Sequence, residues 1–249
     1  MKIKFPTRYN ITYPDKNLKY YSSYSQPKIK KLLTNSSTGY CMYCGNKILI
    51  NNRNSGQIEH SIEKKQRDIK IEYLTHCKYN MAIACAPCNV KFKKNNILPI
   101  DVEKDYKCAK TCNDVCSEYR KNYSAHCKIN KIILLPHGVE NPVTNESYEI
   151  DYDLLKLLFI PSNDKSYTID DIDYIQSHID RFALNSSEFM PTEVLKVCEY
   201  FLKTNDIPTK GDYTNIIADK FIEYLGKIKD ISLKNAIKVC ELILLNSSL

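Results

Sequence analysis

The sequence predicts an α+β protein with a basic, metal-clamped N-terminal lobe over residues 1–140 and an acidic, mainly helical C-terminal lobe over residues 141–249. Three observations carry this. CMYCG at 41–45 is answered by ACAPCN at 84–89, so two Cys-x-x-Cys turns face each other across one short segment. Charge is divided as well: residues 1–140 hold 25 Lys and Arg against 11 Asp and Glu, a formal +14, and the remainder carries −7. Past residue 165 apolar side chains recur at helical spacing.

Taken in chain order, the elements follow from local chemistry. Pro27 opens a short helix that runs to about Leu33, and the polar TNSSTG closes it. KILI and SGQIEH flank NNRNSG, whose Asn, Ser and Gly suit a hairpin-like reversal between short strands. A helix begins at Pro87 and runs through NVKFKK. Residues 105–126 read as helix and KIILLP as a short apolar strand, and the turn-rich GVENPVTNESYEID marks the lobe boundary near residues 138–150. Beyond it Thr168 is an N-cap candidate for a helix whose apolar face is Ile172, Ile175, Ile179 and Phe182. Further helices are expected after Pro191, over 213–226 ending at Gly226, and from Ser232.

Bulk properties limit the function classes. A chain of 249 residues with 43% hydrophobic content can bury a core. No run of eighteen apolar residues occurs and the N-terminus lacks a secretory apolar stretch, so a soluble, cytoplasmic protein without membrane partners is expected. Eleven cysteines in such a chain point to metal rather than to disulfides. Cys198 and Cys240 lie on apolar helical faces and read as core residues, as His137 and His178 read as core or surface histidines. The six glycines form no phosphate cradle, so no nucleotide site is expected. The basic half suits a polyanion such as nucleic acid.

Thiolate suits a borderline-soft ion, and two Cys-x-x-Cys turns can bring four sulfurs to roughly 2.3 Å from one Zn²⁺. Cys41, Cys44, Cys85 and Cys88 are therefore expected to form a closed structural zinc site, the alternative being four core cysteines. Such a clamp would gather the segment that contains Glu59, His60 and Asn80. Cys108, Cys112 and Cys116 recur every four residues, and His126 or Cys127 could complete a second tetrahedral site.

The order Cys41-x-x-Cys44, Glu59-His60, Asn80, Cys85-x-x-Cys88-Asn89 resembles the zinc-clamped HNH endonucleases, across a core at residues 41–95. The resemblance implies a ββα-metal fold and metal-dependent phosphodiester hydrolysis. His60 would be the general base, and Asn80 would hold the loop and orient His60. Glu59 and Asn89 would bind a catalytic Mg²⁺ or Mn²⁺. Those roles suit the residue types, since imidazole accepts a proton near neutrality and a hard cation takes oxygen ligands. Many relatives have Lys where Phe92 stands, and Lys91, Lys93 and Lys94 are the expected substitutes as phosphate contacts. TGYCMYCG, QIEHSIEKK, NMAIACAPCN, NILPI and the later ILLPHGVENPVTNESYEID resemble, more narrowly, the HNH nucleases of prokaryotic antiviral systems of the Septu type, including retron-associated ones. That likeness implies a role in anti-phage defence and an ABC-type ATPase as protein partner; DNA is the expected substrate with RNA as the alternative, and the acidic lobe, which phosphate would repel, is expected to dock the partner. A zinc-stabilised nucleic-acid-binding module without catalysis, or a phage or mobile-element endonuclease, are the alternatives.

Overall fold

A computed structural model describes residues 1–14, 19–66, 69–70, 72–93, 123, 133–186 and 192–247. The expected helix over 105–126, the four residues Cys108, Cys112, Cys116 and Cys127, and Lys94 lie outside them.

The fold is mixed helix and small sheets. Strands β1 (Lys2–Phe5), β8 (Ile150–Asp153) and β9 (Leu158–Pro161) form one antiparallel sheet in the order β1-β8-β9. Ile3 faces Tyr152 and Phe5 faces Ile150 in its register. The alternate residues Ile3, Phe5, Ile150, Tyr152 and Phe159 are buried, as a period-two strand with one covered face requires. Phe159 meets Phe5 edge-on at 5.3 Å and Tyr152 at 5.0 Å. Three further pairs are two-stranded: β2 (Leu49–Ile50) with β3 (Arg53–Asn54), β5 (Lys65–Gln66) with β6 (Ile69–Lys70), and β4 (Gln57–His60) with β7 (Met81–Ala84).

Helix α1 (Gln26–Ser36) opens with Pro27 in its first turn and buries Ile29 and Leu33. A short α2 (Glu72–His76) and a 3-10 turn (Lys78–Asn80) lead into β7, and a π-helical turn (Pro87–Phe92) follows it. The C-terminal helices are α3 (Ile169–Arg181), α4 (Glu193–Thr204), α5 (Ile216–Ile231) and α6 (Leu233–Ser247), with α6 packed on α4 and α5. Thr168 caps α3 through a capping box: its hydroxyl accepts from the Asp171 amide, and the Asp171 carboxylate accepts from the Thr168 amide. No helix among the described residues is long and apolar enough to cross a membrane.

Several local expectations change. QIEH pairs with β7 and not with KILI, because Asn51 and Asn52 both take positive φ (48° and 62°) and close the Leu49–Ile50 hairpin after two residue pairs. The chain then passes Gly56, where a Cβ would stand 2.7 Å from Ile48 and 2.9 Å from Ile83. KIILLP is not a strand over its described residues: Ile133, Leu134 and Leu135 are buried, but the Leu134 amide is satisfied by Nδ1 of His178 at 2.9 Å. Of the expected face Ile175, Ile179 and Phe182 are buried but Ile172 is 45% exposed, and Tyr174 and His178 are buried beside them. Helix α5 continues through Gly226 to Ile231. Strands β1, β5, β6, β8 and β9 arise where none was expected.

The expected boundary at residues 140–141 does not separate two cores. β1 pairs with β8 across it, and residues of both halves contribute to one buried cluster.

Candidate functional site

The knuckle at 41–45 is built by its own backbone and closed by a distant one. The Gly45 amide returns to the Cys41 carbonyl at 2.9 Å, the Cys41 amide bonds the Asn46 carbonyl at 2.7 Å, and the Met42 amide bonds Ile83 of β7 at 3.0 Å. Gly45 has φ +73°, and a Cβ there would meet Ile216 at 2.6 Å, so only glycine fits under the start of α5. From that helix the Ile216 amide bonds the Gly45 carbonyl at 2.9 Å. Asn215, the N-cap, accepts from the Ile217 amide and donates to the Cys44 carbonyl at 3.2 Å and to Asn46 at 2.7 Å.

These supports bring the sulfurs of Cys41, Cys44, Cys85 and Cys88 within 4.8 Å of one another, with Cys44 and Cys85 at 3.6 Å. Sulfurs about 2.3 Å from a tetrahedral zinc stand roughly 3.8 Å apart, so the cluster can hold a metal ion such as zinc. The thiols perturb one another: hydrogen bonds from Cys41, Cys44 and Cys88 hold Cys85 below its ordinary range. Burial and the neighbouring sulfurs push Cys44 up, and hydrogen bonding to Cys41 leads the rise at Cys88. Four thiolates at this spacing need a cation among them.

β4 leaves the cluster carrying Glu59 and His60, which point to opposite sides of the strand. His60 is buried, its Nε2 lies 3.0 Å from the Thr75 carbonyl, and its ring meets Tyr21 edge-on at 4.5 Å. A carbonyl only accepts, so Nε2 carries the proton and Nδ1 is the basic nitrogen. No described residue donates to Nδ1. Burial lowers the His60 pKa to about 3, which keeps the ring neutral at physiological pH. Thr75 is held in place by Asn80, fully buried, whose amide accepts from the Ile62 amide at 2.7 Å and donates to the carbonyls of Ile62 at 2.8 Å and Leu74 at 3.0 Å. One side chain thus ties both ends of the β5–β6 segment, at Ile62 and Leu74.

Glu59 and Asn89 have different partners. The Glu59 carboxylate is 1% exposed, accepts from the Tyr43 hydroxyl at Oε2, and is ion-paired with Lys93 at Oε1. Burial raises its pKa more than Lys93 lowers it. The Asn89 amide donates to Gln57 at 2.8 Å instead. Both oxygens of Glu59, expected with Asn89 as a ligand to one Mg²⁺ or Mn²⁺, are therefore taken by Tyr43 and Lys93. Lys93, expected on the surface as a phosphate contact, is 5% exposed, because a buried carboxylate needs a compensating charge. Lys91 is exposed beside the Phe92 ring.

Sequence reading missed Tyr43, Glu63 and Asn215. Tyr43 lies inside CMYCG, where its position in the knuckle was the available signal, and its ring stacks on Phe182 at 4.8 Å. An open groove of about 500 Å³ is lined by Tyr21, Lys30, Gln57, Ile58 and Asn89, with the Lys64 ammonium 3.9 Å above the Tyr21 ring. No family model, curated protein or solved structure matches the chain.

Proposed function

We propose that the chain is a zinc-clamped HNH endonuclease that hydrolyses phosphodiester bonds, with DNA as its substrate. One observation carries this reading: a neutral imidazole fixed through Nε2 by the Thr75 carbonyl, beside a loop that Asn80 locks. In that arrangement Nδ1 of His60 takes a proton from an attacking water while the Thr75 carbonyl stabilises the imidazolium that forms. Glu59 does not enter this step, because Tyr43 and Lys93 occupy its carboxylate. The groove beside Tyr21 suits a nucleic-acid strand: aromatic faces stack bases, and Lys30, Lys64 and Lys91 supply positive charge along the backbone.

Cleavage of plasmid DNA and of total RNA by the purified protein, in Mg²⁺, Mn²⁺ or EDTA, tests the reading, with His60→Ala as the control that retains zinc. Wild-type cleavage that survives unchanged in His60→Ala ends it. A second reading, a zinc-stabilised nucleic-acid-binding module without catalysis, is favoured by the burial and ion pairing of Glu59, and it expects retention of nucleic acid with no cleavage in any buffer.

The resemblance of the outlying segments to Septu-type nucleases extends the proposal to anti-phage defence, with an ABC-type ATPase as partner. Co-purification with an ATPase encoded beside it is the expected result. An endonuclease of a phage or mobile element would have no such neighbour.

A further inference from the structure

Three oxygens converge on the Lys93 ammonium. Glu59 Oε1 is ion-paired with it, Glu63 Oε1 lies at 3.1 Å, and the His60 carbonyl accepts a hydrogen bond from it. A lysine head group is rarely this deep, and it persists only where oxygens replace its lost water. Two carboxylates and a peptide carbonyl are also the donor set that a hard divalent cation takes.

The Glu59 carboxylate is fixed for this purpose. Its Oε2 is held by Tyr43, whose hydroxyl also meets Ser61 at 2.9 Å. Its Oε1 is buried and has the Lys93 ammonium as its partner. An oxygen of this kind is satisfied by a cation and by nothing else present. Lys93 reaches it from the end of the π-helical turn that carries Cys88, so the zinc cluster and the lysine tether share one element.

We infer that Glu59, Glu63 and the His60 carbonyl form a cation cage whose tethered occupant is Lys93, so that its ammonium and a divalent ion exclude one another there. The cage carries two negative charges and the ammonium one positive, which leaves it suited to a divalent ion once the lysine is out. An ammonium and a divalent ion together would bring three positive charges to two carboxylates in the same space, so they exclude one another. This inference goes beyond the nuclease reading and does not require it, since it concerns ion binding alone.

The test is Mn²⁺ titration of the full-length, zinc-loaded protein, followed by electron paramagnetic resonance and by the urea midpoint. Wild type is expected to bind Mn²⁺ only at millimolar concentration. Lys93→Met should gain one equivalent bound at least tenfold more tightly, with Mn²⁺ raising its urea midpoint and leaving that of wild type unmoved. Adding Glu63→Gln to Lys93→Met should remove most of that gain. If Lys93→Met folds only with Mn²⁺ present, that rescue supports the cage equally, whereas failure to fold even with Mn²⁺ counts against it. Micromolar binding of one Mn²⁺ by wild type, a gain that survives Glu63→Gln, or no gain in Lys93→Met would each overturn the inference.

Discussion

Two cation sites stand at opposite ends of the same β4–β7 pair, and they differ in what they already contain. The cysteine cluster offers four soft sulfurs and no positive charge of its own, whereas the Glu59 cage offers hard oxygens and comes with the Lys93 ammonium in place. The first needs an ion from outside to be electrostatically tolerable. The second is closed by the chain itself. Ligand chemistry alone therefore does not say that a site takes a metal; the nearest tethered charge decides.

The largest expected effect breaks the first site. Cys88→Ala, or stripping the metal with a strong chelator, should unfold the protein, because apparent zinc binding energies in such sites are about 10–16 kcal/mol and exceed the stability of a typical domain. Elemental analysis should find at least one zinc per wild-type chain and circular dichroism should show the loss on stripping. Full retention of structure without metal would remove the clamp.

Breaking the second site should cost less. Lys93→Ala leaves a buried carboxylate unpaired and should destabilise by about 3–5 kcal/mol, while the double variant Glu59→Gln with Lys93→Met should recover most of that, as replacement of both partners usually does. Urea midpoints measure both. Equal losses in the single and double variants would mean that the pair is not the source.

A pH effect sharpens the comparison, because it tests a buried group that belongs to neither cation site. His178 is fully buried, its pKa lowered to about 3 by burial and then by Arg181. The unfolded imidazole takes its proton near pH 6.5, so between about 6.5 and 3 the unfolded state binds more protons and stability falls as pH falls. Above 6.5 this contribution is constant and complete. The slope from His178 should reach about 1.4 kcal/mol per pH unit. His178→Asn, which can still accept from the Leu134 amide, should flatten the wild-type dependence by that amount, and an unaltered slope would show that His178 does not contribute.

The smallest effect concerns the closure of the knuckle from afar. Asn215→Ala loses the cap and the bonds to Cys44 and Asn46 and should cost about 1–2 kcal/mol with zinc retained. A loss of zinc with no change in the urea midpoint would reverse that order of effects.

What was legible in the sequence was local. The cysteine cluster follows from two four-residue spacings, the α3 start from Thr168 and its first-turn acids, and the α1 start from Pro27, all decided within a turn of chain. Asn80 follows His60 in the motif order, and its side chain makes three bonds to the backbone of Ile62 and Leu74. What was illegible depends on distant partners. KIKF alternates charge and apolar residue as a strand does, but its mate lies near residue 150. Lys93 reads as one more lysine in a basic run, and only the buried Glu59 across the fold turns it inward. Ile172 keeps helical spacing yet faces solvent, while the helix turns Tyr174 and His178 to the backbone of Ile133 and Leu134.

The tie between Gly45 and Ile216 also sets an order of events during synthesis. A ribosome adds about 5–20 residues per second, so the cysteine turn at 41–45 waits roughly ten to thirty seconds for the helix start that covers it, and β1 waits nearly as long for β8. Throughout that interval the basic half exists without its sheet and without the lid over its knuckle. A nascent chain stopped before residue 150 has neither, whatever zinc is available to it, and the basic half gains its finished architecture only when most of the acidic half has been made.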